Sequence, residues 1–134
     1  MLNAGRSVAN YPNLRGRRIL VVEDDAVIAV DYHFQLKEVG ATGFGFKPTI
    51  DAALQYLATN DVDAAIVDYQ LADGTSELVI DCLKSRGIPF VVVSGCIWDM
   101  HGSLSASQVL SKPVMAGGVC HALSELLQHE PLGP

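Results

Sequence analysis

The stretch Val62–Gly74, with the sequence VDAAIVDYQLADG, decides the fold of this chain. It begins with a short run of alanine, isoleucine and valine, which is typical of a strand buried on both faces of a parallel sheet. The strand ends at the carboxylate of Asp68, and the Asp73-Gly74 pair then predicts a turn. Because ligands bind beyond the carboxyl ends of the strands in an open parallel sheet, Asp68 is a candidate functional acid.

Apolar runs and helical patterns alternate along the rest of the chain. Further strands are predicted at 17–22, 41–46, 88–93 and 108–111, and helices at about 26–39, 48–59, 75–86 and 114–128. The two glycines of the second strand favour a position near an edge, and Gly117-Gly118 favours a late start of the last helix. For 96–107 we expect a short or irregular fourth helix. This alternation predicts an α/β fold, a doubly wound five-stranded parallel sheet with helices on both faces.

The third helix is expected to bury four side chains, those of Leu78, Val79, Cys82 and Leu83. At the start of the first helix, Asp25 is predicted to be the N-cap residue, because its side chain can accept hydrogen bonds from the free N–H groups there.

Size and composition predict one globular domain. The chain has 134 residues, of which 49% are hydrophobic and 18% charged. No segment has the pattern of a membrane span or of a secretory signal, so we expect no membrane partner. The three widely spaced cysteines, Cys82, Cys96 and Cys120, favour reduced thiols over a disulfide framework or a zinc site. We therefore expect a cytoplasmic protein.

The first 18 residues differ in charge from the rest of the chain. Residues 1–16 lack hydrophobic periodicity and are predicted to be a flexible or loosely docked extension, followed by the domain at 17–130 and a tail at 131–134. Four arginines and no acid occur in the first 18 residues, whereas the rest carries five basic and fifteen acidic side chains. Because this acidic body would repel a phosphate backbone, nucleic acid is not expected as a direct partner.

Polar side chains follow four of the predicted strands. They are Glu23, Asp24 and Asp25 after the first strand, Asp68 after the third, Ser94 after the fourth and Lys112 after the fifth. These strand ends share one edge of the sheet, and two carboxylates about 4 Å apart repel by about 4 kcal/mol at an effective dielectric constant of about 20. Protonation or a bound cation would relieve this repulsion, and oxygen ligands suit Mg²⁺. A metal, a lysine and a hydroxyl together suit phosphoryl transfer, in which an aspartate can be the acceptor.

Four pieces of the sequence, VVEDD, DYQLADG, VVSG and SKP, occur in the order of the response-regulator receiver domains of two-component signalling. The chain resembles this CheY-like family over about residues 17–128, which implies a (βα)5 flavodoxin-like fold. The resemblance implies that Asp68 is the phospho-acceptor, Asp24 a direct ligand of Mg²⁺ or Mn²⁺, and Glu23 a second acid near the metal that acts through water.

The resemblance assigns three further roles. The backbone carbonyl of Gln70 would complete the metal ligands together with Asp68, Ser94 would supply the hydroxyl that follows the phosphoryl group, and Lys112 would pair with that group. The chain departs from the family at Val109, where receivers usually carry an aromatic switch residue, and in the short segment before Lys112. These departures predict an altered output.

The function implied is a phosphorylation-dependent switch in a phosphorelay. A sensor histidine kinase or a histidine phosphotransfer protein would donate to Asp68, and the chain would then signal to an unknown protein, with homodimer formation as an option. It would catalyse only its own phosphorylation and autodephosphorylation, so it is not expected to be an enzyme otherwise. Because few residues follow position 130, we expect either a stand-alone receiver or a domain of a longer protein.

Three other functions compete with the switch. A degenerate receiver would act only as a protein-binding module, but the acid, hydroxyl and lysine set is complete. A magnesium-dependent aspartyl-phosphate hydrolase would need a second acid at position 70, where this chain has Gln70. A flavodoxin-like FMN carrier would need a phosphate-binding loop after the first strand, where this chain has acids.

Overall fold

The computed structural model describes residues 11–95, 109–112, 114 and 117–128. The elements, in chain order, are a 3-10 turn (Pro12–Leu14), β1 (Arg18–Val22), α1 (Ala26–Glu38), β2 (Thr42–Lys47), α2 (Ile50–Thr59), β3 (Ala64–Asp68), β4 (Gln70–Leu71), β5 (Gly74–Thr75), α3 (Glu77–Ser85), β6 (Phe90–Ser94), β7 (Val109–Ser111) and α4 (Gly118–Gln128).

Five parallel strands form the main sheet in the order β2-β1-β3-β6-β7. The predicted doubly wound α/β fold is therefore confirmed, and β2 lies at an edge as its glycines indicated. The strand order reverses between β1 and β3, since β2 lies on one side of β1 and the later strands continue on the other. In open α/β sheets, the crevice beyond such a reversal is where ligands bind.

The central strands send alternate side chains into two separate cores. Ile19 and Ile66 contribute to the core that α1 and α4 cover, whereas Val22 and Val67 contribute to the core beneath α2 and α3. All four side chains are fully buried. Burial on both faces explains why these strands read as continuous apolar runs and not as an alternating pattern.

The N-termini of two helices are capped by side chains. Asp25 caps α1, as predicted, because its Oδ1 accepts hydrogen bonds from the N–H groups of Val27, at 2.9 Å, and Ile28, at 3.3 Å. Thr49 caps α2 in the same way through the N–H of Ala52, at 3.1 Å.

The third helix differs from its predicted form. It begins at Glu77 because the preceding residues form a small antiparallel hairpin between β4 and β5, which was not predicted. The prediction that Leu78 is buried is wrong, since this side chain is 63% exposed. Ile80 is buried instead, so the helix turns a face made by Val79, Ile80 and Leu83 toward the core.

The last helix begins late, as its paired glycines indicated. Gly117 has a φ of +82°, a left-handed conformation that glycine adopts without steric cost, and α4 begins at the next residue. The N–H of Gly117 donates to Oε1 of Gln35 in α1 at 3.1 Å, which ties the start of α4 to its neighbouring helix.

The chain from Tyr11 onward packs against α4. Leu14 is fully buried in the core beneath α1 and α4. Asn13 exchanges two hydrogen bonds with Ser124: its Nδ2 donates to the Ser124 carbonyl at 2.9 Å, and the Ser124 hydroxyl donates to its Oδ1 at 2.7 Å. The Tyr11 ring meets the His121 ring edge-on, with 6.1 Å between centroids. Residues 11–16 of the extension, which was predicted to be flexible or loosely docked, are therefore docked against α4.

Other predictions concern residues outside the described ranges. They are the first ten residues of the extension, the short or irregular helix at 96–107 and the tail at 131–134. Among the residues that the structure does describe, no helix is both long enough and apolar enough to span a membrane.

Candidate functional site

Three carboxylates meet where the strand order reverses. Glu23 and Asp24 directly follow β1, and Asp68 is the last residue of the neighbouring strand β3. One oxygen from each of the three lies within 4.8 Å of the others. We call this group the acid cluster (Glu23, Asp24 and Asp68). The structure thus brings together the acids that the sequence placed at strand ends.

The members of the acid cluster differ in their exposure to solvent. Glu23 is 1% exposed and Asp68 is 4% exposed, whereas Asp24 is exposed. The cluster therefore opens to solvent on the side of Asp24 and is closed beneath it. A group that binds there would contact an exposed acid and two acids that the fold has already desolvated.

Glu23 is the electrostatically strained member. Its Oε2 accepts a hydrogen bond from the N–H of Asp25 at 3.2 Å, but its buried Oε1 has no hydrogen-bond partner within the described ranges. Burial raises the pKa of Glu23 from 4.5 to about 7; the Asp25 N–H opposes this rise, and the negative charge of Asp68 adds to it. Glu23 is therefore an acid that titrates near neutral pH.

Lys112 is the cation of the site. Its Nζ lies 3.1 Å from Oδ2 of Asp68, to which it donates a hydrogen bond, and 3.9 Å from Oε1 of Glu23. The N–H of Lys112 donates to the Ser94 carbonyl at 2.8 Å, which holds the lysine beside the end of β6. One lysine among three carboxylates leaves the site with an excess of negative charge.

Ser94 lies on the strand next to Asp68. It is the last residue of β6 and is 4% exposed. Asp68 pairs with Val93 in the parallel register, so Ser94 stands one residue farther toward the edge where the acid cluster lies. Lys112 directly follows β7, so Asp68, Ser94 and Lys112 lie at the ends of three adjacent strands, as the sequence predicted.

Gln70 lies two residues beyond Asp68, in the first strand of the small hairpin. It pairs with Thr75 in β5, and its own side chain is exposed. The N–H of the intervening Tyr69 donates to the Val93 carbonyl at 2.9 Å, so the backbone stays attached to β6 where it leaves the sheet. The predicted carbonyl ligand therefore belongs to a hydrogen-bonded loop at the same edge as the acid cluster.

Tyr32 is a buried residue of α1 that neighbours the site. Burial raises its pKa above the ordinary tyrosine value, and the negative charges of Glu23 and Asp68 raise it further. Its side chain also lines a cavity of about 440 Å³ together with Ile28, Asp31, Lys112 and Val114. The i, i+4 spacing of Ile28 and Tyr32 puts both side chains on one face of α1, and this face lines the same cavity as Lys112.

The donor set of the acid cluster fits a divalent cation. All of its candidate ligands are carboxylate oxygens, which Mg²⁺ prefers, and the buried Oε1 of Glu23 accepts no hydrogen bond from any residue that the structure describes. A cation would relieve the repulsion among the acids that one lysine offsets only in part. The residues present therefore fit the magnesium site that the sequence predicted.

Comparison with known proteins agrees with the fold. No family model matches the chain, and no curated protein does. Among solved structures, SdrG from Sphingomonas melonis Fr1 is 36% identical, with a TM-score of 0.71 over 84% of this chain and 97% of SdrG. The receiver domain of the response regulator PhyR from Erythrobacter litoralis is 21% identical, with a TM-score of 0.77 over 91% of this chain and 98% of that domain.

A longer relative matches over only part of its length. PhyR from Bartonella quintana, described as an anti-anti-sigma factor, is 18% identical with a TM-score of 0.74; the match covers 96% of this chain and 53% of PhyR. The chain thus spans about half of that protein. The five-stranded parallel sheet with its acids at the strand reversal defines the receiver class. This chain belongs to the response-regulator receiver family.

Proposed function

We propose that the chain is a phosphorylation-dependent signalling switch in which Asp68 accepts a phosphoryl group. The environment of Asp68 is the observation that supports this most. Asp68 is 4% exposed, its Oδ2 is 3.1 Å from the Lys112 ammonium, and an oxygen of each of two further acids lies within 4.8 Å of its carboxylate. A carboxylate held in this way is oriented for nucleophilic attack at a site that opens to solvent.

The proposed donor is the phosphohistidine of a sensor histidine kinase or of a histidine phosphotransfer protein. A carboxylate oxygen of Asp68 attacks the phosphorus, the new O–P bond forms, and the P–N bond breaks with its electron pair returning to the imidazole. The product is an acyl phosphate on Asp68. Lys112 already contacts the acceptor carboxylate, so its positive charge is in place to pair with the added phosphoryl group.

The acid cluster is the proposed Mg²⁺ site. Asp24 and Asp68 would hold the ion directly with the carbonyl of Gln70, and Glu23 would act through water. When bound, Mg²⁺ would neutralise charge on the transferring phosphoryl group. The buried position of Glu23 favours this assignment, because within the described part of the chain its Oε1 accepts no hydrogen bond and the Lys112 ammonium lies 3.9 Å away.

Ser94 and the adjoining strands would carry the signal. Its hydroxyl, on the strand beside Asp68, would move toward the new phosphoryl group and donate a hydrogen bond to it. This movement of Ser94 would shift the end of β6. Val109, in β7, pairs with Val92 in β6 and is half-buried, so the position where the family usually has an aromatic switch is apolar and small here. The output would then be a protein contact that does not depend on an aromatic side chain changing position.

The chain would have no substrate beyond its own aspartate. An aspartyl-phosphate hydrolase would need an acid at position 70, and Gln70 supplies none. A binding module without phosphorylation would not require the Lys112–Asp68 contact beside a metal-type acid cluster. The anti-anti-sigma role given to PhyR belongs to a protein about twice as long, so the downstream partner of this chain is proposed only as a protein.

Phosphorylation of the purified chain tests the proposal. The chain is incubated with Mg²⁺ and either an acyl phosphate or phosphoramidate, and its intact mass is measured. We expect the wild type to gain the mass of one phosphoryl group, Asp68→Asn to gain none, and the control Asp61→Asn to behave as wild type, since Asp61 is exposed and precedes β3 at its opposite end. A mass gain in Asp68→Asn, or none in the wild type with both donors, would overturn the proposal.

A further inference from the structure

A second carboxylate is hydrogen-bonded to the loop that follows Asp68. Glu77, the first residue of α3, accepts a hydrogen bond on each of its oxygens: the Tyr69 hydroxyl donates to Oε2, and the Thr75 hydroxyl donates to Oε1. These two bonds hold the pKa of Glu77 below its ordinary value, that from Thr75 most strongly. We call the three residues the Glu77 clasp (Tyr69, Thr75 and Glu77).

The Glu77 clasp encloses the loop that carries Gln70. Tyr69 is the residue that precedes Gln70 in the chain, and Thr75 is the residue that pairs with Gln70 across the small hairpin. The residue that precedes Gln70 and the residue opposite it in the hairpin are thus both bonded to the Glu77 carboxylate. This arrangement restricts the backbone of Gln70 from two directions, along the chain through Tyr69 and across the hairpin through Thr75.

The base of the loop is closed by Ser76. Its N–H donates to the Tyr69 carbonyl at 2.9 Å, and its hydroxyl donates to the same carbonyl at 3.2 Å. Ser76 is fully buried and precedes α3, yet its side chain does not cap that helix. A serine at the N-cap position usually accepts a hydrogen bond from an N–H of the first helical turn. Here the Ser76 hydroxyl bonds to the Tyr69 carbonyl instead, so it closes the loop and leaves α3 without a side-chain cap.

The opposite end of the loop is also attached. The Asp73 carboxylate accepts the N–H of Ile50 at 3.2 Å from each of its oxygens, which joins the hairpin turn to the first turn of α2. Leu71 is buried in the core beneath α2 and α3. The loop from Tyr69 to Ser76 is therefore fixed at its base, its turn and its inner side, and the Glu77 clasp fixes the strand that bears Gln70.

We infer that Glu77 is a positioning residue for the magnesium site, acting through Tyr69 and Thr75 to hold the Gln70 carbonyl ready to bind the ion. This inference rests on the proposed function, since it concerns the metal of that site. A carbonyl that is already held in place loses less conformational freedom when the ion binds. Groups that orient metal ligands from outside the ligand set commonly change metal affinity tenfold or more when they are removed.

The test compares three clasp variants of the full chain with the wild type. Tyr69→Phe removes one donor and keeps the buried ring, Glu77→Ala removes the acceptor, and the double variant removes both. The matched control is Asp81→Ala, which deletes an exposed acid from the same helix. Mg²⁺ affinity is measured by calorimetric titration, and the free energy of unfolding is measured by urea denaturation without metal.

We expect about a tenfold weaker Mg²⁺ affinity in Glu77→Ala and in Tyr69→Phe. The double variant should be no weaker than Glu77→Ala, because both changes remove the same interaction. In phosphorylation assays, the Mg²⁺ concentration for half-maximal rate should rise by the same factor, while the rate at saturating Mg²⁺ stays near that of the wild type. Asp81→Ala should match the wild type in each measurement.

Other outcomes would overturn the inference. The inference fails if the variants bind Mg²⁺ as tightly as the wild type. It also fails if the double variant loses as much affinity as the two single variants together. A loss that only parallels a fall in metal-free stability would assign the Glu77 clasp to folding. If Glu77→Ala does not fold, Tyr69→Phe decides alone. A wild type that does not bind Mg²⁺ would overturn the proposed metal site as well. Failure of the metal site is thus distinguished from failure of the inference about Glu77 alone.

Discussion

The ionisation of Glu23 makes the stability of this chain depend on pH in a way that can be tested. Glu23 is 1% exposed, and its carboxylate must be desolvated to fold in the charged form. Replacing it with glutamine keeps an oxygen that can accept the Asp25 N–H and removes the charge. We predict that Glu23→Gln is more stable than the wild type at pH 8 without divalent cations, and that this advantage shrinks as the pH falls and is lost below pH 4.5.

The magnitude follows from the pKa of Glu23, which burial raises from 4.5 to about 7. Below pH 4.5 the group is protonated in both the folded and the unfolded chain, so it has no effect on stability. Between these values the folded chain binds more protons than the unfolded chain, and stability falls as the pH rises. Above pH 7 the cost is complete and is about 3 kcal/mol, at about 1.4 kcal/mol for each pH unit.

The assay is urea denaturation at pH values from 5 to 8.5 in the presence of a chelator, with Glu38→Gln as a control acid that is exposed on α1. Glu38→Gln should give a constant difference from the wild type across this range. A Glu23→Gln variant that is no more stable than the wild type at pH 8, or whose advantage is the same at pH 5, would refute the desolvation argument. A saturating cation should also stabilise the wild type, by about 2.7 kcal/mol at a hundredfold excess over its Kd.

Three further predictions concern other parts of the chain. Asp24→Asn should raise the metal-free free energy of unfolding by about 1 kcal/mol, because it removes repulsion within the acid cluster, and should abolish the thermal shift with Mg²⁺. Leu14→Ala should cost about 3 kcal/mol in urea denaturation, since Leu14 is fully buried. Burial raises the pKa of Cys120 to about 11, so peptide mass spectrometry should find it alkylated far more slowly than half-buried Cys82 unless the chain is unfolded.

The sheet could be predicted from the sequence because its signals are local. Ile66 and Val67 lie next to each other in the chain and face opposite cores, so a strand buried on both faces appears as a short unbroken apolar run. Asp25 could be identified as a cap because its partners are two and three residues away. The acids could be assigned to one edge because parallel strands end together, which requires no knowledge of individual contacts.

The interactions that were missed join distant residues or depend on the rotation of a helix. Asn13 binds Ser124 across 111 positions, and nothing near either residue in the sequence indicates that contact. Leu78 was expected to be buried because the apolar pattern was read from a helix start at residue 75. The β4–β5 hairpin moves that start to Glu77, and the inward face then passes through Ile80.

The same reasoning explains why the acids could be identified from the sequence, whereas the difference in their burial could not. Glu23 and Asp24 are adjacent in sequence and equal in charge, yet one is 1% exposed and the other is exposed. Side chains of neighbouring residues at the end of a strand point in different directions, so Glu23 is buried with its Oε1 3.9 Å from the Lys112 ammonium, whereas Asp24 stays exposed to solvent. That direction produces the raised pKa of Glu23 and its unpartnered Oε1. Under the proposed function, the folded chain therefore holds the acid cluster in a less stable charged state until a cation binds, and this makes cation binding and folding stability two measurements of one interaction.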